Sequence, residues 1–182
     1  MPIRRLLSLF EPAEQADANP FAKALAGHLD RFPPDRLEYL AGFAGQLTRV
    51  AWADEEVSEV ERERIQGILA KNANLEASEA DVVIDLLRSQ LETLRGTEDY
   101  QLNRAVNAHA SEREREDLID CLFAVAAADG TVSNVEDQEI RKIGHALEIP
   151  NQRLMDIRGR YRAQLEILRV AAATRDRSNA DS

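Results

Sequence analysis

Residues 122–140, LFAVAAADGTVSNVEDQEI, are a second version of residues 47–65, LTRVAWADEEVSEVERERI, and ten of the nineteen aligned positions are identical. Leu47, Val50, Ala51, Ala53, Asp54, Val57, Ser58, Val60, Glu61 and Ile65 return as Leu122, Val125, Ala126, Ala128, Asp129, Val132, Ser133, Val135, Glu136 and Ile140, at a constant offset of 75. A self-match at so long a period points to an internal duplication. In each copy an apolar run ends in Ala-Asp, and a Ser-x-x-Glu follows. That spacing is a capping box: the hydroxyl accepts the N3 amide proton and the Glu accepts the Ser N–H, so two orphan donors at a helix start are satisfied. Ser58 with Glu61, and Ser133 with Glu136, therefore open helices, and the chain reads as helix, corner, helix, twice over.

Working outward, each copy extends to three helices. The first copy is expected to carry helices at about Asp35–Trp52 and Glu59–Lys71, and a third that opens at a Ser78 cap and runs to about Arg95. The second copy repeats them at about Glu112–Ala128, where Ser111 and Glu114 form a further capping box, at Asn134–Leu147, and from an Asn151 cap to about Arg169. Leu154, Ile157, Tyr161, Leu165 and Leu168 continue one apolar stripe along the last of these. A helix from about Tyr100 to Ala110 joins the copies, and a leading helix is expected at Phe21–Arg31 behind Asn19 and Pro20. Composition agrees, with 5% aromatic residues and few Gly (8) or Pro (6), which suits helices better than sheets.

The fold expected is all-α: two pseudo-symmetric three-helix units packed as one helical domain, because a unit that cannot bury its apolar face alone packs on its copy. The domain is expected over residues 19–173, with repeats at about 35–95 and 111–173. Residues 1–18 are expected to form an amphipathic segment and linker, and 174–182 a disordered tail. In the leading segment Ile3, Leu6, Leu7 and Phe10 share one helical face beside Arg4 and Arg5, so the segment is either disordered, folded back on the core, or used to touch a membrane surface or a partner's groove.

A formal net charge of −10 argues against nucleic acid, whose phosphates need a positive field. The basic excess lies late in the chain, where Arg153, Arg158, Arg160, Arg162 and Arg169 form either a solvated helix face or a docking surface for an acidic partner or an anionic membrane. A single cysteine, Cys121, excludes an internal disulfide and sits on an apolar stripe as a small buried hydrophobe. No apolar run is long enough to span a membrane and no cleavage signal is present, so a cytoplasmic location is expected, with peripheral contact at the inner face of the membrane through the leading segment. Phosphate-binding loops, nucleophile elbows and zinc-binding His pairs are missing, and His28, His109 and His145 stand isolated.

DGTVSNVE, residues 129–136, looks like the second half of a calcium loop, yet the positions of the first ligands hold Val125 and Ala127, and Val50 and Trp52 in the other copy. Calcium takes six to eight oxygens. A self-contained site is thus not expected; Asp129 either receives amides of the next helix or shares a weakly held divalent cation with Glu136 or with the other copy. Gly130, which the tight turn needs, is Glu55 in the first copy.

The Ala-Asp-Gly-x-Val-x-x-x-Glu element of residues 128–136, with its duplicate before it and the same helix order, resembles the TerB-like proteins, that is, bacterial tellurite-resistance TerB and the related domain of DnaJ-type co-chaperones. The likeness spans about residues 35–170. It implies an all-helical, pseudo-symmetric fold and a non-enzymatic binding or adaptor module tied to stress or tellurite resistance. It also implies metal-binding carboxylates at Asp54, Glu61, Asp129 and Glu136, less so at Asp54, where the Gly is missing. A protein partner and no assured cofactor are expected. The competing readings are a metal-dependent hydrolase using carboxylates from both repeats and a structural adaptor docking through the leading segment.

Overall fold

The computed structural model describes residues 20–29, 31–51, 59–73, 75–91 and 98–167, which form eight helices. These are α1 (Pro20–Ala26), α2 (Pro34–Ala51), α3 (Glu59–Ala73), α4 (Ala77–Leu91), α5 (Glu98–His109), α6 (Glu112–Ala126), α7 (Asn134–Ala146) and α8 (Asn151–Arg160). The leading segment with Ile3, Arg4, Arg5, Leu6, Leu7 and Phe10, the first corner with Trp52, Asp54 and Ser58, and the C-terminal tail lie outside the described residues. Among the described residues there is no β-strand, only a parallel bridge between Val132 and Leu165. The protein is all-α.

Helix α2 is the axis of the molecule. Thirteen of its eighteen residues are buried, so it is covered on nearly every side, as an interior helix must be. It packs most extensively on α5, and also on α1, α3, α4, α6 and α7. Two glycines let α5 come close. A Cβ on Gly42 would stand 2.9 Å from Val106 Cγ2 and 3.0 Å from the Leu102 carbonyl oxygen, and one on Gly45 would meet Leu102 Cδ2 at 2.6 Å. The same seam carries two buried polar residues: the Gln46 side-chain amide donates to Asn103 Oδ1 at 2.8 Å, and the Thr48 hydroxyl donates back to the Ala44 carbonyl at 2.8 Å.

Gly67, midway along α3, is the opposite case: a Cβ there meets nothing within 4 Å. Gly42→Ala is expected to destabilise the fold by about 1–3 kcal/mol, because overpacking against backbone outweighs the helix propensity gained. Gly67→Ala is expected to stabilise it by about 0.5–1 kcal/mol, a rise of roughly 1–4 °C in melting midpoint. Thermal melts of the two variants read the opposite signs directly, and a shared sign would contradict this packing.

Several helix ends differ from the sequence reading. Helix α1 stops at Ala26 instead of near Arg31, in a turn where the Leu29 amide bonds to the Leu25 carbonyl at 2.8 Å. Helix α4 begins at Ala77, so Ser78 lies inside it, and the start is instead closed by the Glu76 N–H donating to Glu79 Oε2 at 2.8 Å. Asn151 is likewise the first helical residue of α8, and Pro150 occupies the cap position without a side-chain hydrogen bond. Most notably, α8 ends at Arg160, and residues 161–164 turn so that Leu165 can pair with Val132. Helix α7 closes with Glu148 at φ 59° and the Ile149 amide reaching the Gly144 carbonyl at 3.0 Å, the 6→1 bond of a left-handed helix stop.

Three of the late arginines, Arg153, Arg158 and Arg160, are committed within the molecule. Arg153 grips Glu116 with two bonds of 2.9 Å, and Arg160 reaches Asp120 at 3.0 Å, so α8 is tied to α6. Arg158 donates to Asp137 of α7 through Nε and Nη2, at 2.6 and 2.9 Å. The bond from Arg153 holds the Glu116 carboxyl below its ordinary value. In the first copy the corresponding tie has reversed polarity: Arg62 on α3 reaches Asp81 at 3.4 Å and Asp85 at 3.0 Å on α4.

Candidate functional site

The second corner is built around capping. Helix α6 ends at Ala126, and Gly130, at φ +96°, lets the chain reverse where other residues would be strained. Asp129 Oδ1 accepts the Thr131 N–H at 2.8 Å. Val132 then enters the bridge, its amide donating to the Gln164 carbonyl at 2.9 Å and its carbonyl accepting the Glu166 amide at 3.0 Å. Ser133 caps α7: its hydroxyl accepts the Glu136 N–H at 3.2 Å, and Glu136 Oε2 accepts the Ser133 N–H at 2.8 Å. Ser111 and Glu114 make the same exchange at the start of α6, at 3.3 and 2.8 Å. The bonds from Ser111 lower the Glu114 pKa, so this box supports the fold above the ordinary carboxylate range and loses that support as pH falls through the lowered value.

Both corner carboxylates proposed as metal ligands thus have backbone partners. Glu136 is 4% exposed and Glu61, at the matching position, 7%. Among the described residues no group of three or more His, Cys, Asp and Glu side chains could hold a metal ion. Asp54 and Ser58 lie outside the described residues, so the first corner is represented here by Glu61 alone.

A different feature collects exposed charge. Where α3 faces α6 there is a cleft of about 530 Å³. One wall is α3, with Glu63, Arg64, Gly67, Ile68 and Lys71; the other is α6, with Asp117, Asp120, Cys121 and Ala124, and Tyr161 closes one side. Each wall is a single helical stripe, because 64, 67, 68, 71 and 117, 120, 121, 124 have the same i, i+3, i+4, i+7 spacing. Cys121, read from the sequence as a buried hydrophobe, is only half-buried and lines the cleft. The Tyr161 hydroxyl donates to the Asp120 carbonyl at 3.0 Å and its ring stacks on Phe123, so it is fixed in place. Burial, with a smaller contribution from Asp120, pushes its pKa up to about 12.

Sequence reasoning missed this site. A glycine inside a charged helix, three residues after one cation and four before another, was the available signal. His109, isolated in sequence, is joined in space to Glu38 at 3.1 Å and so links α5 to α2. No helix among the described residues is long and apolar enough to cross a membrane.

The geometry defines the class first: an all-α protein with a duplicated helix–corner–helix sequence and a charged cleft between helices of the two copies. The model of the family described as tellurite resistance protein TerB matches residues 40–159, well over half of the 182-residue chain. The chain belongs to the TerB family. No curated protein and no solved structure matches it.

Proposed function

We propose that the chain is a non-catalytic TerB-family binding module whose ligand or partner seats in the cleft between α3 and α6. The observation that carries this reading is that cleft itself, whose facing walls bear opposite charges that do not meet. Among the described residues Arg64, Lys71 and Asp117 form no ion pair, although such pairs tie the neighbouring helices together. Its volume falls in the range of ligand pockets. The family description adds a role under tellurite or a related stress to the proposal. A Gly67→Leu substitution would fill the cleft from a position with no packing neighbours. Tagged wild-type chain recovered from stressed cells is expected to carry a molecule that the Gly67→Leu chain lacks, and identical bound fractions from the two would overturn the reading.

We also read the domain as two pseudo-symmetric units. The pairings α2 with α3, α3 with α4 and α2 with α4 recur as α6 with α7, α7 with α8 and α6 with α8, and α2 with α7 is matched by α3 with α6. In both copies the residue after the first helical position of the second helix, Val60 or Val135, is half-exposed.

For the corners we propose a capping role rather than a resident divalent cation, because Asp129 and Glu136 already accept backbone amides. A ligand that binds only the folded state raises the melting midpoint. Ca²⁺, Mg²⁺ and Mn²⁺ are therefore expected to leave the midpoint unmoved, while Ser133→Ala lowers stability by about 1 kcal/mol. A midpoint that climbs with cation concentration in the wild type and not in Asp129→Asn would restore the metal site. The hydrolase alternative would be restored by stoichiometric metal in the purified protein.

A further inference from the structure

We propose that the cleft binds a compact zwitterion, its carboxylate held by Arg64 and Lys71 on α3 and its ammonium by Asp117 on α6. This rests on the reading of the cleft as the binding site and adds the chemistry of what enters it.

Four observations converge. First, Arg64 and Lys71 lie two helical turns apart on one face of α3, close enough to converge on one carboxylate through long side chains. Second, neither they nor Asp117 is paired among the described residues. Opposite charges held apart across a cleft set up a field directed from one wall to the other. A molecule with one charge at each end aligns with that field, whereas an ion of either sign is attracted by one wall and repelled by the other. Third, the other polar groups of the α6 wall are occupied: Asp120 accepts Arg160 at 3.0 Å and its carbonyl accepts Tyr161. Asp117 is thus the carboxylate of that wall left for an ammonium. Glu63, at the end of the α3 wall next to Arg64, adds negative charge at the rim and further disfavours a simple anion.

Fourth, Gly67 stands between the two cations, three residues after Arg64 and four before Lys71, on the same stripe. Glycine inside a helix is unfavourable relative to alanine. Here neither close packing nor a positive φ calls for it, since a Cβ would meet nothing within 4 Å. Its missing side chain leaves the space between Arg64 and Lys71 open for a ligand's carboxylate. Ile68, Cys121 and Ala124 supply an apolar strip beside the charges, so the body of the ligand need carry no further polar group.

The full-length chain contains its own reporter, because Cys121 is its only cysteine and lines the cleft. The probe is L-alanyl-L-alanine, with its N-acetylated form as the anion and its C-amidated form as the cation. The dipeptide is expected to slow alkylation of Cys121 by N-ethylmaleimide at least about fivefold at saturation. Either blocked form is expected to bind about tenfold more weakly, as the loss of one charge-assisted contact implies. Arg64→Gln and Asp117→Asn are each expected to weaken the dipeptide by a similar factor, with Asp117→Asn leaving the N-acetylated form unaffected. Gly67→Leu, with folding checked by its melt, is expected to abolish protection by all three. Equal binding of the dipeptide and one blocked form overturns the zwitterion and keeps the cleft as a binding site. No protection by any of the three overturns the zwitterion proposal, and the bound fraction of the Gly67→Leu chain then decides the cleft reading separately. Dipeptide protection that persists in Gly67→Leu places binding elsewhere and overturns both.

Discussion

Phe123→Ala is expected to lower the free energy of unfolding by about 3–5 kcal/mol, the range for removing a large aromatic side chain from a core that relaxes only in part. Phe123 is fully buried on α6, and its ring lies 5.4 Å from that of Tyr161 at an interplanar angle of 20°. The stack joins α6 to the turn that follows α8, the turn from which Leu165 reaches back to bridge Val132. Truncation therefore removes core volume and also frees Tyr161, whose hydroxyl ties that turn to the Asp120 carbonyl. Equilibrium urea unfolding with an unchanged m-value reads the loss cleanly. A loss below about 1 kcal/mol would mean that Phe123 is not a core residue. The phenol gives an independent check at high pH. Its raised pKa means the contribution is complete below the ordinary tyrosine value near 10 and is lost as pH rises through about 12.

Asp137→Ala is expected to cost about 3 kcal/mol, the lower end of the range for removing one partner of a buried pair. Asp137 is 6% exposed and accepts from Nε and Nη2 of Arg158, whose guanidinium pKa is raised by that hydrogen bonding. Arg158 retains some contact with water, which keeps the expected cost at the lower end. The carboxylate also lies in the first turns of α7, where the helix dipole favours negative charge. Arg158→Ala strands the Asp137 carboxylate, so the two single losses exceed what the double variant adds. A double-mutant cycle is expected to return a coupling of about 2 kcal/mol that salt barely changes. A coupling under about 0.5 kcal/mol would reduce the pair to a surface contact. Arg62, at the position equivalent to Asp137, offers the contrast: its partners Asp81 and Asp85 are 45% and 62% exposed, so its pairs are expected to contribute no more than about 1 kcal/mol.

Much of the fold was legible because its signals are local. Helices α6 and α7 begin where Ser111 with Glu114 and Ser133 with Glu136 place capping boxes. An amide proton that needs an acceptor within one turn writes that need into neighbouring residues. The misread ends have the opposite origin. The apolar stripe of α8 continues through Tyr161 to Leu165, yet the helix stops at Arg160 because the amide and carbonyl of Val132, more than thirty residues away in sequence, take the backbone around Leu165 as partners. Periodicity records that Leu165 is buried and cannot tell a helical route from a bridged one.

The candidate site divides in the same way. The corner carboxylates were visible as residues, but that Asp129 bonds to Thr131 and Glu136 to Ser133 depends on backbone placement. The two stripes of the cleft, with Arg64, Gly67 and Lys71 on one helix and Asp117 and Cys121 on the other, are present in the sequence as spacings. That they face one another depends on how the copies pack. Sequence by itself displayed the duplication and determined the helical class and the capping boxes of α6 and α7, since helix propensity and capping act within a few residues of the chain. Tertiary structure alone decided which late arginines are already paired, where α8 gives way to the bridge, and which unpaired charges share a cleft. Those outcomes follow from long-range burial and charge pairing, which act between residues that no local spacing relates.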